Sequence, residues 1–287
     1  ELNGSLYFRA FADGLWDELF RVTSAGDVEL VADINPGAGR GVPLRLTKFD
    51  DAIYFSANDG INGTELHRVN ADGSVEFVKD IVPGGAGPSF TEMAVLGDSL
   101  YFGGRVGAEG RELYRYDTDG SVTLVADVRA GSSDSTPTDL VGFNGSLYFE
   151  ATDDGANREL FRYDSGAGSV TKIVLVPGDD SQPKGFTEID GSLYFATNRG
   201  IYRINGDHTI EHLLETSIAG ASATFEAFNG SIYVGASAYM YRIGPDDTVT
   251  QVSIPGLSVR ASQYLETFSG SGGQASTNED TALAITG

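Results

Sequence analysis

The chain of 287 residues has no cysteine, one tryptophan, two methionines and three histidines. Without cysteine it has no disulfide framework, no thiolate metal site and no cysteine nucleophile. Basic side chains are scarce, 19 against 41 acidic, which leaves a formal charge of −22. Such a chain offers no basic stripe to displace counterions from phosphates, so nucleic acid is not an expected partner. Docking on anionic lipid is disfavoured for the same reason. No apolar run of about 18 residues occurs, so no segment reads as a membrane-spanning helix. No stretch carries the 3.6-residue apolar period of an amphipathic helix. No secretory leader is legible, and a chain opening on Glu1 reads as a mature or excised segment.

What is present is glycine, 38 residues of it, with 40% hydrophobic and 10% aromatic residues, enough to build a core. The chain is also self-similar. The segment Gly-Ser-Leu-Tyr-Phe opens at Gly4 and returns at Gly145 and Gly191, with variants between. Its tyrosine recurs as Tyr7, Tyr54, Tyr101, Tyr148, Tyr194 and Tyr233, at intervals of 47, 47, 47, 46 and 39 residues. Each copy reads as four short strands, A to D. An apolar residue such as Phe49 or Phe143 ends strand A, a tight turn such as Asn144-Gly145 follows, and strand B is the Leu-Tyr-Phe segment. Strand C is Glu-Leu-aromatic-Arg, and Asp72-Gly73 or Asp119-Gly120 turns into strand D.

A four-stranded meander repeated six times predicts an all-β fold, a six-bladed β-propeller of antiparallel blades over residues 1–270. The first copy enters near the end of its A strand. The segment Tyr264-Leu265-Glu266-Thr267-Phe268 matches strand A with no B strand after it. The expectation is that this C-terminal strand pairs with the first blade and closes the ring, removing open edges. A seventh blade lost by truncation is the structural alternative. Residues 271–287 read as a Gly/Ser linker followed by the first strand of another domain.

Several of these stretches carry a resemblance. Asp59-Gly60 with Gly63-Thr64-Glu65-Leu66, then Val78-Lys79-Asp80-Ile81 and Pro83-Gly84, resemble the ELWxxDGT-type repeats of large secreted bacterial proteins. Asp33-Ile34-Asn35-Pro36-Gly37 matches the closing motif of that repeat. Where the family has Trp after Glu-Leu, this chain has Phe20, His67, Tyr114 and Phe161. The tail Asn278-Glu279-Asp280-Thr281-Ala282-Leu283 is similar to the opening strand of cadherin-like adhesin domains. The resemblance implies an extracellular propeller within a long surface protein, monomeric in its multidomain chain. It carries no activity with it.

Topology places the D–A and B–C loops on one rim and the short A–B and C–D turns on the other. Function is expected on the loop-rich rim, because loops vary while the scaffold holds. Residues there that break the repeat are the candidates for ligand binding: Trp16, Asp17, Arg40, Arg129, Lys184, Tyr239 and Tyr264. An exposed aromatic can stack on a sugar face or anchor a protein. Asp127, Asp134, Asp179 and Asp180 are candidate ligands for Ca2+, which takes six to eight hard oxygens from such loops. No Asp-x-Asp-x-Asp-Gly loop is present, and the alternative for these acids is ordinary Asx turns. The arginines Arg21, Arg68, Arg115, Arg162, Arg203 and Arg242 recur in every copy and are expected to pair between blades. Glu18, Glu65, Glu112 and Glu159 belong with them. His67 sits in a repeated aromatic position, while His208 and His212 flank a turn of the opposite rim.

No Ser/His/Asp arrangement and no metal-spaced histidine pair is legible. The reading is therefore a recognition module without catalysis, at the cell surface or secreted, binding a glycan or a protein on the loop-rich rim. A hydrolase or lyase acting on polysaccharide through rim carboxylates is one alternative, and a structural spacer is the other.

Overall fold

Each sheet grows from hairpins whose turns require the left-handed region. Asp50 and Asp51 have φ of 48° and 54°, Asn144 and Gly145 have 45° and 74°, and Asn229 and Gly230 have 48° and 69°. Two successive residues at positive φ make the turn whose twist matches that of the flanking strands. The C–D turns use a different device. Asp72 Oδ1 accepts from Ser74 N at 2.9 Å, an Asx turn around Gly73, whose φ is 85°.

The computed structural model describes residues 1–252, apart from Asp13, Ala38, Ala86, 217–222 and 237–238. The first sheet has β1 (Leu6–Ala12), β2 (Leu15–Val22) and β3 (Val28–Ala32). The second has β4 (Leu44–Phe49), β5 (Ala52–Asn58), β6 (Thr64–Val69) and β7 (Val75–Lys79). The third has β8 (Met93–Leu96), β9 (Ser99–Gly104), β10 (Glu112–Asp117) and β11 (Val122–Ala126). The fourth has β12 (Thr138–Phe143), β13 (Ser146–Ala151), β14 (Glu159–Asp164) and β15 (Ser169–Ile173). The fifth has β16 (Lys184–Ile189), β17 (Ser192–Thr197), β18 (Gly200–Ile204) and β19 (Ile210–Glu215). The sixth has β20 (Thr224–Phe228), β21 (Ser231–Ala236), β22 (Tyr239–Ile243) and β23 (Val249–Gln251). Every sheet is an antiparallel meander in chain order, one of three strands and five of four.

Successive sheets meet through their first strands, β4 with β8, β8 with β12, β12 with β16 and β16 with β20. Glycines permit the approach: a Cβ on Gly142 of β12 would lie 2.3 Å from Val95 O of β8. The second and third strands are sandwiched by neighbouring sheets, so β13 is buried at every residue, the polar Ser146 and Glu150 included. The fourth strands face outward, and β11 is largely open. Apolar clusters fill each boundary from first and second to fifth and sixth, with Phe55, Phe102, Phe149, Phe195 and Val234 among their buried members.

The first sheet has three strands, in keeping with a chain that enters late in strand A. Its β1 is half open, whereas its counterparts β5, β9, β13 and β17 are almost wholly buried. Leu6 and Phe11 stand 58% and 60% exposed. Among the described residues no apolar cluster joins the sixth sheet to the first. The expected closing strand, residues 264–268, and the expected linker and following domain lie outside the described residues.

Candidate functional site

The B–C and D–A loops do share a rim, joined by backbone bonds such as Asn58 N to Gly41 O (2.8 Å), Thr152 N to Ser135 O (3.1 Å) and Asn198 N to Ser181 O (3.1 Å). The repeated glutamates hold this rim in place. Glu18 accepts from Ile34 N at 2.7 Å and Gly41 N at 2.8 Å. Glu65 accepts from Ile81 N at 2.9 Å and Val82 N at 3.2 Å. Glu112 accepts from Val128 N and Ser135 N, and Glu159 from the Ser181 hydroxyl. Each carboxylate sits at the start of strand C and satisfies buried donors of a D–A loop. Burial pushes all four up from the usual carboxylate range, Glu65 to about 7.

Three of the residues singled out in the sequence come together on this rim. Trp16 opens strand C of the first sheet and forms an isolated bridge with Arg40 of the following D–A loop. The ring is 49% exposed, and the Arg40 guanidinium lies 5.3 Å from its centre. Asp17 is 4% exposed and in the left-handed region at φ 55°, with its carbonyl taking Val42 N at 2.8 Å. Its carboxylate meets Arg9 Nε at 3.0 Å and Arg40 Nη1 at 3.8 Å. The Arg9 contact is an ion pair without a directed hydrogen bond, because Asp17 Oδ1 has no aligned donor.

The other predicted residues stand apart. Arg129 donates to Asp134 O at 3.4 Å and lies against Gly155, where any Cβ would fall 2.3 Å from its Nη2. Tyr239 is an exposed ring at the start of β22, and Tyr264 lies outside the described residues. The four acids assigned to calcium are divided between two loops, each acid with protein donors. Asp127 takes Gly131 N at 3.0 Å, and Asp134 takes Arg111 N at 2.7 Å and pairs with Arg105. Asp179 pairs with Arg199, which holds it below the usual range, and Asp180 takes Arg158 N at 2.6 Å. Among the described residues no group of three or more His, Asp or Glu is arranged to hold a metal.

Lys184 belongs to a cluster that sequence reasoning missed. Arg45, Glu92, Asp139 and Gly185 hold one position of the repeat, nine residues before the tyrosine. This is the loop-rim end of the innermost strands. Arg45, Asp139 and Gly185 have φ of 59°, 52° and 69°, and each pairing slips there in a β-bulge, which re-aims the side chain. Arg45 Nε donates to Thr91 O of the next sheet, and Leu140 N donates to Glu92 Oε2 at 3.1 Å. Below them Glu150 is buried and held by Arg158 Nε at 2.6 Å and the Thr138 hydroxyl at 3.1 Å. Burial and the neighbouring Glu92 and Glu150 push Asp139 up to about 6, against the opposing pull of Lys184. Asp139 and Glu150 therefore form a carboxyl pair in which Arg158 bonds Glu150 and Asp139 holds its proton more tightly than an ordinary aspartate, an arrangement suited to general acid–base work. The charges that interrupt one repeat position were the signal available in the sequence.

One expectation about the repeat needs adjustment. The strand C arginines pair mainly within their own sheet: Arg21 with Glu29 at 2.7 Å, Arg68 with Glu76 at 2.9 Å and Arg115 with Asp117 at 2.9 Å. The reason is register, since β2 and β3 place Arg21 opposite Glu29. Only Arg203, joined to Asp247 at 2.6 Å, bridges two sheets among the described carboxylate pairs of this set. Clefts between sheets open on the short-turn rim, one of them lined by Tyr194, Arg203, Phe228 and Asp247.

No protein-family model matches the chain, and no curated protein sequence matches it. Solved structures do. Virginiamycin B lyase from Staphylococcus aureus is similar at 16% identity and a TM-score of 0.56, over 88% of this chain and 89% of the lyase. A prolyl endopeptidase is similar at 13% identity and a TM-score of 0.59, over 89% of this chain and 42% of that one. The extracellular domain of a hybrid two-component system from B. thetaiotaomicron gives 17% and 0.53, over 85% and 31%.

The fold is that of the propellers.

The six sheets fit six blades, and at these identities the likeness is one of fold alone. It corrects one expectation. The lack of a legible nucleophilic triad was read as the lack of catalysis, yet a lyase and an endopeptidase share this propeller framework. Neither the fold nor a missing triad supports excluding an enzyme.

Proposed function

We propose that this propeller is an extracellular recognition module of a bacterial surface protein, binding a glycan on its loop-rich rim. The observation that carries the reading is Trp16, the one tryptophan, half exposed on the rim and braced by Arg40 and the buried Asp17. A ring held flat by a guanidinium is a stacking surface set before the ligand arrives, which lowers the ordering cost of binding. The repeat resemblance and the likeness to an extracellular domain support the location. In this reading residues 264–268 complete the first sheet, and residues 271–287 lead into an adhesin-type domain. The test is a glycan array probed with the wild type and with Trp16→Ala. Retention of a glycan signal by the wild type and its loss in the variant is expected. An array blank for the wild type returns the propeller to the role of a spacer.

The pair Asp139–Glu150 favours a second reading, a polysaccharide hydrolase or lyase centred on the axis. Release of reducing ends from any glycan that binds, abolished in Asp139→Asn, is the outcome that supports it.

A further inference from the structure

Within a chain of charge −22, the Trp16 site brings two guanidiniums together. The guanidiniums of Arg9 and Arg40 flank the Asp17 carboxylate, with Glu18 and Asp33 close behind it. That carboxylate is 4% exposed, with the arginine side chains above it at 37% and 58%. The Arg9 contact with Asp17 Oδ1 is not a directed hydrogen bond, and the Arg40 contact with Asp17 is 3.8 Å. The strand C arginines differ. Arg21 puts both Nε and Nη2 on Glu29, at 2.9 and 2.7 Å, and Arg68 does the same on Glu76, at 3.1 and 2.9 Å. A guanidinium presents five donors in a planar fork that matches a carboxylate. Arg9 and Arg40 thus keep donors facing solvent beside an exposed aromatic ring.

We infer that the site formed by Trp16, Arg40 and Arg9 binds an acidic sugar, the ring stacking on the indole and the carboxylate taken by the two guanidiniums. The inference rests on the glycan reading above and narrows it to a uronate-type unit, one pyranose ring with one carboxylate. The guanidinium of Arg40 lies over one face of the ring, 5.3 Å from its centre, which leaves the other face for the sugar. The buried Asp17 orients the arginines from beneath and leaves their outer edges for the ligand. A nucleic acid, with phosphates at close spacing, meets the repulsion of the whole protein.

The test is a panel of galacturonate, glucuronate and mannuronate oligosaccharides, each beside its carboxyl-reduced neutral counterpart, titrated calorimetrically. Wild type is expected to bind at least one acidic member, and to bind its neutral counterpart weaker by about tenfold or more. Arg40→Gln and Arg9→Gln should lose affinity for the acidic member only, while Trp16→Ala loses affinity for both. Arg40→Lys, which keeps the charge and loses the fork, should fall between. Melting temperatures within a few degrees of wild type establish that the variants fold. Equal binding of acidic and neutral members, or no binding of any acidic member by a protein that binds neutral glycans on an array, overturns the acidic-sugar assignment and leaves the glycan reading intact. Failure to bind any glycan removes both.

Discussion

The hydroxyl of Tyr148 and Nδ1 of His208 meet at 2.9 Å across the boundary between the fourth and fifth sheets. Tyr148 is a repeat tyrosine of strand B, and His208 lies in the C–D turn of the next sheet at φ 69°. Burial pushes the Tyr148 hydroxyl up to about 12, so it keeps its proton. Burial, then the nearby Arg162, holds His208 below its ordinary range, with Asp164 and Asp207 opposing. Tyr148→Phe is expected to lower stability by about 1 kcal/mol. His208→Ala should cost a similar amount, and the double variant little more, which urea denaturation of the four proteins reads as a coupling energy.

The glutamate pins give a larger effect. Glu112 takes Val128 N, Ser135 N and the Ser135 hydroxyl at 2.8, 2.9 and 2.6 Å. Glu112→Ala strands those buried donors and should cost about 3 kcal/mol. Limited proteolysis is expected to cut faster within residues 127–137 than in the wild type, while the loop pinned by Glu18 keeps its resistance.

Stability should also depend on pH in a defined direction. Glu18, Glu65, Glu112 and Glu159 bind protons more tightly folded than unfolded. Their contribution is fully present below the unfolded value, about pH 4.5, and is lost as pH rises through the folded values, near 7 for Glu65. Melting temperature is expected to fall across that window. Glu65→Gln, neutral throughout, should flatten the slope whatever its absolute stability.

At the axis the sign is the same but the remedy differs. Raising pH ionises Asp139 beside Glu92 and Glu150. Asp139→Asn removes that repulsion and should raise the melting temperature at about pH 8, with no gain at about pH 5, where Asp139 is already protonated. Equal gains at both pH values would contradict a shared proton.

The sheets were legible because a tyrosine recurs at a nearly constant interval and the turn pairs ask for positive φ. Leu-Tyr-Phe falls within β9, β13 and β17, and the rim assignment follows from strand order alone. Trp16, Asp17 and Arg40 were legible as breaks in the repeat. Their meeting was not, since Arg40 reaches Trp16 from a loop beyond two strands. Asp139 escaped notice because its direction comes from a bulge at a non-glycine residue, which alternation does not reveal. The arginine partners were in reach: Glu29, Glu76 and Glu211 each follow their arginine by eight residues, the span of one hairpin.

The pinning glutamates separate what a loop displays from what its sheet requires. A lineage built by duplicating this unit inherits an anchor with each copy. Insertions and exchanges in a D–A loop are then tolerated so long as backbone donors return to the carboxylate. The fifth sheet carries Gly200 where the earlier ones carry glutamate, and a Cβ there would sit 2.0 Å from Leu214 O. In that sheet the neighbouring backbone fills the space of the anchor, and its loop is no longer free to diversify in the same way. Novelty in such an array accumulates in the four anchored copies, Glu18 to Glu159, which makes the first two-thirds of the chain the part expected to diverge between relatives that recognise different surfaces.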